Sequence, residues 1–236
     1  PINETILPIN RQNNNTPLFL VHPIGGGVFW YKSLGQYLDK KYSLFAIQDP
    51  GLEKQQFLFN TIEEMASHYI EALQRIQPNG PYLLGGASFG STVAIEMAKQ
   101  LHEQGELVNA ILALDGWAYY PTLQDNEVYF QHIMKEQNSR LLKNYLEHHI
   151  DNAPFLLELQ WHREQMLTRY KLPMIQTQFI LFKAREPSEL FPYEADLNWW
   201  EPYSIKPIEL HLVPGTHESM FAEPNIQILA AQINKV

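Results

Sequence analysis

Short apolar runs alternate along the chain with stretches in which apolar residues recur every three or four positions. Leu18-Phe19-Leu20-Val21 is the first uninterrupted run, and similar runs follow at Ser43–Ile47, Tyr82–Leu84 and Val108–Leu114. A continuous apolar run bounded by turn residues predicts a strand buried on both faces. The stretches between them have helical spacing: Phe29, Trp30, Tyr31, Leu34, Tyr37 and Leu38 in the first, Val93, Met97 and Leu101 in the third. The clearest helix is the one over 61–76. Ile62, Met65, Tyr69, Leu73 and Ile76 share one face, Thr61-Ile62-Glu63-Glu64 reads as a capping box, and Pro78-Asn79-Gly80-Pro81 stops it.

Strand and helix alternating in this way predict an α/β fold, a mostly parallel central sheet with helices on both faces. The rhythm breaks after Leu114. Residues 116–175 are rich in helix formers, aromatics and histidine and show no strand pattern. Strands resume at Thr177–Lys183 and Ile208–Val213, and Glu223–Val236 predicts a closing helix. Residues 1–16 read as a linker followed by an entering strand, and 17–236 as a single domain with an insertion at about 116–176.

Composition narrows the classes. The 236 residues are 45% hydrophobic and 18% charged, which suits a globular chain with a sizeable core. Lys and Arg number 17 against 26 Asp and Glu, a formal net charge of −9. That balance repels phosphate backbones and anionic lipid surfaces, so neither nucleic acid nor membrane is an expected partner. With no cysteine, disulfides, thiol nucleophiles and thiolate metal sites are excluded. No run approaches the roughly 18 apolar residues of a membrane span. Pro1-Ile2-Asn3-Glu4 has neither an initiator Met nor a basic leader, so the expectation is a domain cut from a longer chain, working in the cytoplasm.

Gly86-Ala87-Ser88-Phe89-Gly90 is the one G-x-S-x-G in the chain, and it lies between a predicted strand and a predicted helix. A nucleophile on such a tight turn needs small neighbours two positions away on each side, and the helix that follows offers free N–H groups to a developing oxyanion. A serine hydroxyl also needs a base, and the base an orienting acid, which in such folds follow in the order Ser, acid, His. Asp115 ends the strand after Ser88. Asp49 and Asp196 are its rivals, but Asp49 precedes the serine and Asp196 follows no clear strand. Of nine histidines, His217 lies in the loop between the last strand and the last helix, where the base belongs. His22 ends a strand too early in the order, and His148-His149 point to different faces of a helix and do not read as a metal site. The second oxyanion donor belongs to the loop His22-Pro23-Ile24-Gly25-Gly26-Gly27. The expected donors are the backbone N–H groups of Ile24 and Phe89. A phosphate-binding reading of the same loop lacks both G-K-[ST] and a continued G-x-G-x-x-G.

In four blocks the chain resembles the thioesterase domains of nonribosomal peptide and polyketide synthases, of the α/β-hydrolase superfamily. These are Leu20–Gly27 with Phe29 and Tyr31, Tyr82–Gly90 with Ala94 and Glu96-Met97-Ala98, Leu114-Asp115-Gly116, and Val213–Met220. The resemblance implies a catalytic triad of Ser88, Asp115 and His217, oxyanion donors at Ile24 and Phe89, and a helical lid within 116–176. It implies release of an acyl or peptidyl chain held as a phosphopantetheine thioester on a carrier protein, by water or by an internal nucleophile, through an acyl-Ser88 intermediate. The phosphopantetheine belongs to the carrier, and no metal or bound cofactor is expected. Tyr119, Tyr120, Phe130, Phe155, Leu156, Leu157 and Trp161 are acyl-pocket candidates, with plain helix packing as the alternative for each. A free-standing editing thioesterase, a small-molecule carboxylesterase and a non-catalytic binding module on the same fold are the alternative functions.

Overall fold

A computed structural model describes residues 5–10, 15–119, 136, 152–188 and 195–236. Among them a seven-stranded sheet runs in the order β1-β3-β2-β4-β5-β6-β7. Its strands are β1 (Ile6–Asn10), β2 (Thr16–Val21), β3 (Tyr42–Ile47), β4 (Tyr82–Ala87), β5 (Val108–Leu114), β6 (Gln178–Ala184) and β7 (Glu209–Val213). Every neighbouring pair is parallel except β1 with β3.

Among the described residues the α-helices are α1 (Phe29–Tyr37), α2 (Gly51–Lys54), α3 (Ile62–Gln74), α4 (Phe89–Glu103), α5 (Ala153–Arg169) and α6 (Asn225–Ile233). The two-residue period of the strands divides the core between the faces of the sheet. Phe19 and Val21 of β2 and Phe45 and Ile47 of β3 pack with α3 and α4. Leu18, Leu20, Leu44 and Ala46 turn the other way and pack with α1 and α6. This is the doubly covered parallel sheet that the apolar runs predict. Thr61 caps α3 by accepting the Glu64 N–H at 3.1 Å, while the Glu64 carboxylate accepts the Asn60 N–H at 2.9 Å.

The first sixteen residues correct the expectation in part. Ile6–Asn10, read as linker, is an edge strand whose Ile6 is buried and whose Ile9 packs on the α1 side. Its apolar pattern is short and broken by Pro8, a residue an edge strand tolerates because the missing N–H has no ladder to serve. The Asn10 side chain accepts from Leu44 N–H at 2.6 Å and donates to Gly35 O at 3.0 Å, anchoring the strand's end.

Of the expected insertion, residues 120–135 and 137–151 lie outside the described residues, and with them Tyr120, Phe130 and His148-His149. Its later part is α5, started by Pro154 in its first turn. Arg163 of α5 is fully buried and reaches back to the end of β3.

Candidate active site

Three strand ends and one loop meet at the carboxyl edge of the sheet, where ligands bind in folds of this kind. Ser88 is the single residue between β4 and α4, with φ 51° and ψ −118°. A side chain at positive φ is strained unless its surroundings fix it. The Ser88 N–H donates to Leu114 O at 2.9 Å. The two glycines of the motif are required by contact: a Cβ on Gly86 would lie 2.5 Å from the Gly90 carbonyl carbon, and one on Gly90 2.4 Å from Val21 O. The turn is therefore wedged between β2 and the first turn of α4, with the serine side chain lifted off the sheet.

Asp115 ends β5 in a similar posture, φ 51°, its N–H bonded to Phe182 O at 2.8 Å. Its Oδ1 accepts from the Ala184 N–H at 3.0 Å and from Asn198 Nδ2 at 3.2 Å. Its Oδ2 faces His217 Nδ1 at 2.8 Å, and His217 Nε2 lies 3.0 Å from Ser88 Oγ. Because a carboxylate only accepts, Nδ1 carries the proton in this pair, and a neutral ring leaves Nε2 free to accept from the serine. Trp117 packs against the imidazole with ring centroids 5.1 Å apart. Burial pulls the His217 pKa down. The hydrogen bond and charge of Asp115, helped by Glu218, outweigh it, and the net shift is upward from the ordinary histidine value.

Ser88, Asp115 and His217 are thus brought together. Ile24 and Phe89 lie just past the ends of the adjacent strands β2 and β4. Phe89 opens α4, among the N–H groups that a helix leaves without an internal partner. The two rival acids lie elsewhere. Asp49 is buried in an ion pair with Arg163, and Asp196 is exposed.

Sequence reasoning missed Asn198 and Trp200. Asn198 clamps Asp115 Oδ1 and also donates to Gly116 O at 3.1 Å, which accepts from Trp200 Nε1 at 2.8 Å as well. Asn198 and Trp199 are consecutive residues at positive φ, 50° and 61°, with no glycine to signal such a turn.

A cavity of about 290 Å³ lies beside Trp117, walled by Thr92, Tyr119, Leu167, Tyr170 and Tyr203 among others. Of the expected pocket residues, Tyr119 lines it. Phe155 instead stacks on Phe57 at 5.5 Å, and Leu156, Leu157 and Trp161 are half-buried on α5 away from that lining. Among the described residues no helix is long and apolar enough to cross a membrane, and no group of three or more His, Asp or Glu side chains is placed to hold a metal ion.

Comparison with known proteins shows the family of the chain and of its fold. The chain is 28% identical to malpinin synthetase of Mortierella alpina over 98% of its own length but only 3% of that protein. It is similar in structure to a four-domain nonribosomal peptide synthetase in its holo form bound to AMP and glycine, with a TM-score of 0.81, 25% identity, and coverage of 98% of this chain and 20% of the other. It is also similar to the NocB thioesterase domain in covalent complex with a fluorophosphonate nocardicin G analog, with a TM-score of 0.78, 25% identity, and 98% of each chain covered. The chain therefore spans a few per cent of the curated relative and nearly all of the isolated domain. A family model described as the thioesterase domain matches residues 16–236, and the chain belongs to that family.

Proposed function

We propose that this domain releases an acyl or peptidyl chain from a phosphopantetheine thioester on a carrier protein, with Ser88 as nucleophile, His217 as general base and Asp115 as its orienting acid. The observation that carries the reading is the unbroken relay from Ser88 Oγ to His217 Nε2 at 3.0 Å and from His217 Nδ1 to Asp115 Oδ2 at 2.8 Å.

His217 takes the Ser88 proton as Oγ attacks the thioester carbonyl. The negative charge gathers on the carbonyl oxygen, where the N–H groups of Ile24 and Phe89 receive it, each contributing about 3–4 kcal/mol by analogy with other oxyanion holes. The carrier's thiol leaves with the proton from His217, and an acyl ester on Ser88 remains. Water, or a nucleophile of the acyl chain itself, then attacks that ester with His217 again as base. Asp115 stays ionised throughout and holds the ring with Nδ1 protonated. The cavity is walled by Trp117, whose ring packs against the base, and it takes the acyl chain. Helix α5, whose Leu167 and Thr168 wall that cavity, acts as part of a lid. The carrier is the partner, and the domain works within a larger synthetase in the cytoplasm.

The test is turnover of one medium-chain acyl group offered as a pantetheine-type thioester and as the matched oxoester, with Ser88→Ala as blank. A Ser88-dependent thioester preference beyond the intrinsic reactivity gap is expected. Equal or faster oxoester turnover would replace this reading with a small-molecule esterase.

A further inference from the structure

His22 is completely buried beneath the active-site loop, and the proton relay makes no use of it. Its Nδ1 lies 2.6 Å from Pro23 O and its Nε2 2.7 Å from the Tyr69 hydroxyl. Its ring stacks on Phe89 with centroids 5.9 Å apart and planes 22° apart, and meets the Tyr69 ring edge-on at 5.7 Å. One imidazole therefore touches both residues proposed as oxyanion donors: Phe89 directly, and Ile24 through the peptide bond that precedes it.

That second contact has a geometric consequence. A carbonyl only accepts, so His22 Nδ1 must carry a proton. Nε2 of the neutral ring then accepts from the Tyr69 O–H. The Pro23–Ile24 peptide is trans, so its C=O and its N–H point in opposite directions in one rigid plane. Pro23 O is held from two sides, by His22 Nδ1–H and by the Gly26 N–H at 2.9 Å. Fixing that oxygen fixes the direction of the Ile24 N–H. Without the imidazole, Pro23 O loses one of these two donors and only the Gly26 N–H holds it.

We infer that His22 is a positioning residue for the oxyanion hole, an imidazole set by the Pro23 carbonyl in its Nδ1–H tautomer and braced at Nε2 by Tyr69, that aims the Ile24 N–H and seats Phe89. The inference rests on the proposed acyl-transfer reading. The charged groups nearest the ring are Arg163 and Asp49. Burial and then the Arg163 charge hold the His22 pKa down at about 3, so the ring stays neutral over the working pH range.

The experiment uses His22→Leu, His22→Asn and Tyr69→Phe in the same thioester assay, with Ser88→Ala as blank and thermal melting as the check on folding. His22→Leu is expected to lower kcat about 100-fold with KM nearly unchanged, because an oxyanion donor acts in the transition state. Asn places an N–H near the position of Nδ1, so His22→Asn is expected to recover most of that loss. Tyr69→Phe is expected to lose less than His22→Leu. Proton-detected nitrogen NMR of the wild-type chain reads the tautomer independently of activity and of whether any variant folds. A protonated Nε2, or a folded His22→Leu with wild-type kcat, would overturn the inference. A wild-type chain whose turnover equals that of the Ser88→Ala blank, with the Nδ1–H tautomer in place, would instead overturn the proposed function.

Discussion

Arg163 of α5 forms a buried ion pair with Asp49, two residues past the end of β3, and the same guanidinium donates to Ile24 O. Both side chains are almost wholly inaccessible, 1% and 2%. Removing one partner of such a pair leaves a charge in a dry site, a cost of about 3–5 kcal/mol, whereas removing both can be nearly neutral. Arg163→Met alone is expected to destabilise the domain by that amount, with the double variant Arg163→Met, Asp49→Asn recovering much of it. Urea unfolding of Arg163→Met, Asp49→Asn, the double variant and the wild type closes the cycle. Additive losses would show that the two residues are stabilised separately.

The carboxylate of Asp115 is tied at both oxygens, Oδ1 to Ala184 N–H and Asn198, Oδ2 to His217. Asp115→Asn retains the shape but offers an N–H where His217 needs an acceptor, and the imidazole turns to the wrong tautomer. On the proposed mechanism kcat falls by about 10⁴-fold. Asn198→Ala removes only one tether of Asp115 and leaves its charge, so a smaller loss, about tenfold, is expected from a loosened relay. Single-turnover acylation rates separate the two. Equal losses would mean that Asn198 does more than steady the acid.

The raised pKa of His217 sets a sign for the pH profile. On the proposed mechanism His217 must be neutral to accept the serine proton, and a group whose folded pKa is raised stays protonated to higher pH. The acid limb of kcat/KM is therefore expected above the ordinary histidine value of about 6.5. Glu218 contributes to the raising through its charge, while its carboxylate accepts from Ser188 Oγ at 2.7 Å and Thr216 Oγ1 at 2.9 Å. Glu218→Gln keeps an oxygen acceptor and removes the charge, so the limb shifts to lower pH. A limb that stays in place would assign the raising to Asp115 alone.

Much of the frame was legible in local sequence. The apolar runs of β2 to β6 marked strands covered on both faces, and the glycines around Ser88 announced the turn that their contacts with Val21 and each other require. The order of Ser88, Asp115 and His217 sufficed to expect that they meet. What stayed hidden depends on distant partners. Asp49 entered the sequence reading only as a rival for the acid, and nothing local shows that Arg163, 114 residues later, needs it. Asn198 joins the site through two consecutive left-handed residues, a geometry that glycine usually signals and that here falls on Asn and Trp. The edge strand β1 was obscured by Pro8, since a strand with one ladder tolerates a break that a central strand does not.

Glu164, the neighbour of Arg163 on α5, is 5% exposed, and among the described residues its Oε2 has no hydrogen-bond partner, while Gln160 Nε2 donates to Oε1 at 3.3 Å. Burial raises its pKa from 4.5 to about 8, only partly opposed by the Gln160 hydrogen bond. For a carboxyl group raised in this way the folded state holds the proton more tightly than the unfolded chain. Its contribution is thus most favourable below about pH 4.5 and is lost as pH rises toward 8. Glutamine has the shape of the neutral acid and no proton to release. Glu164→Gln is expected to leave stability near pH 4.5 almost unchanged and to raise it at pH 8 by a few kcal/mol. Urea unfolding of both chains at the two pH values reads the difference directly. A gain of equal size at both would mean that packing, rather than the buried proton, separates the two side chains.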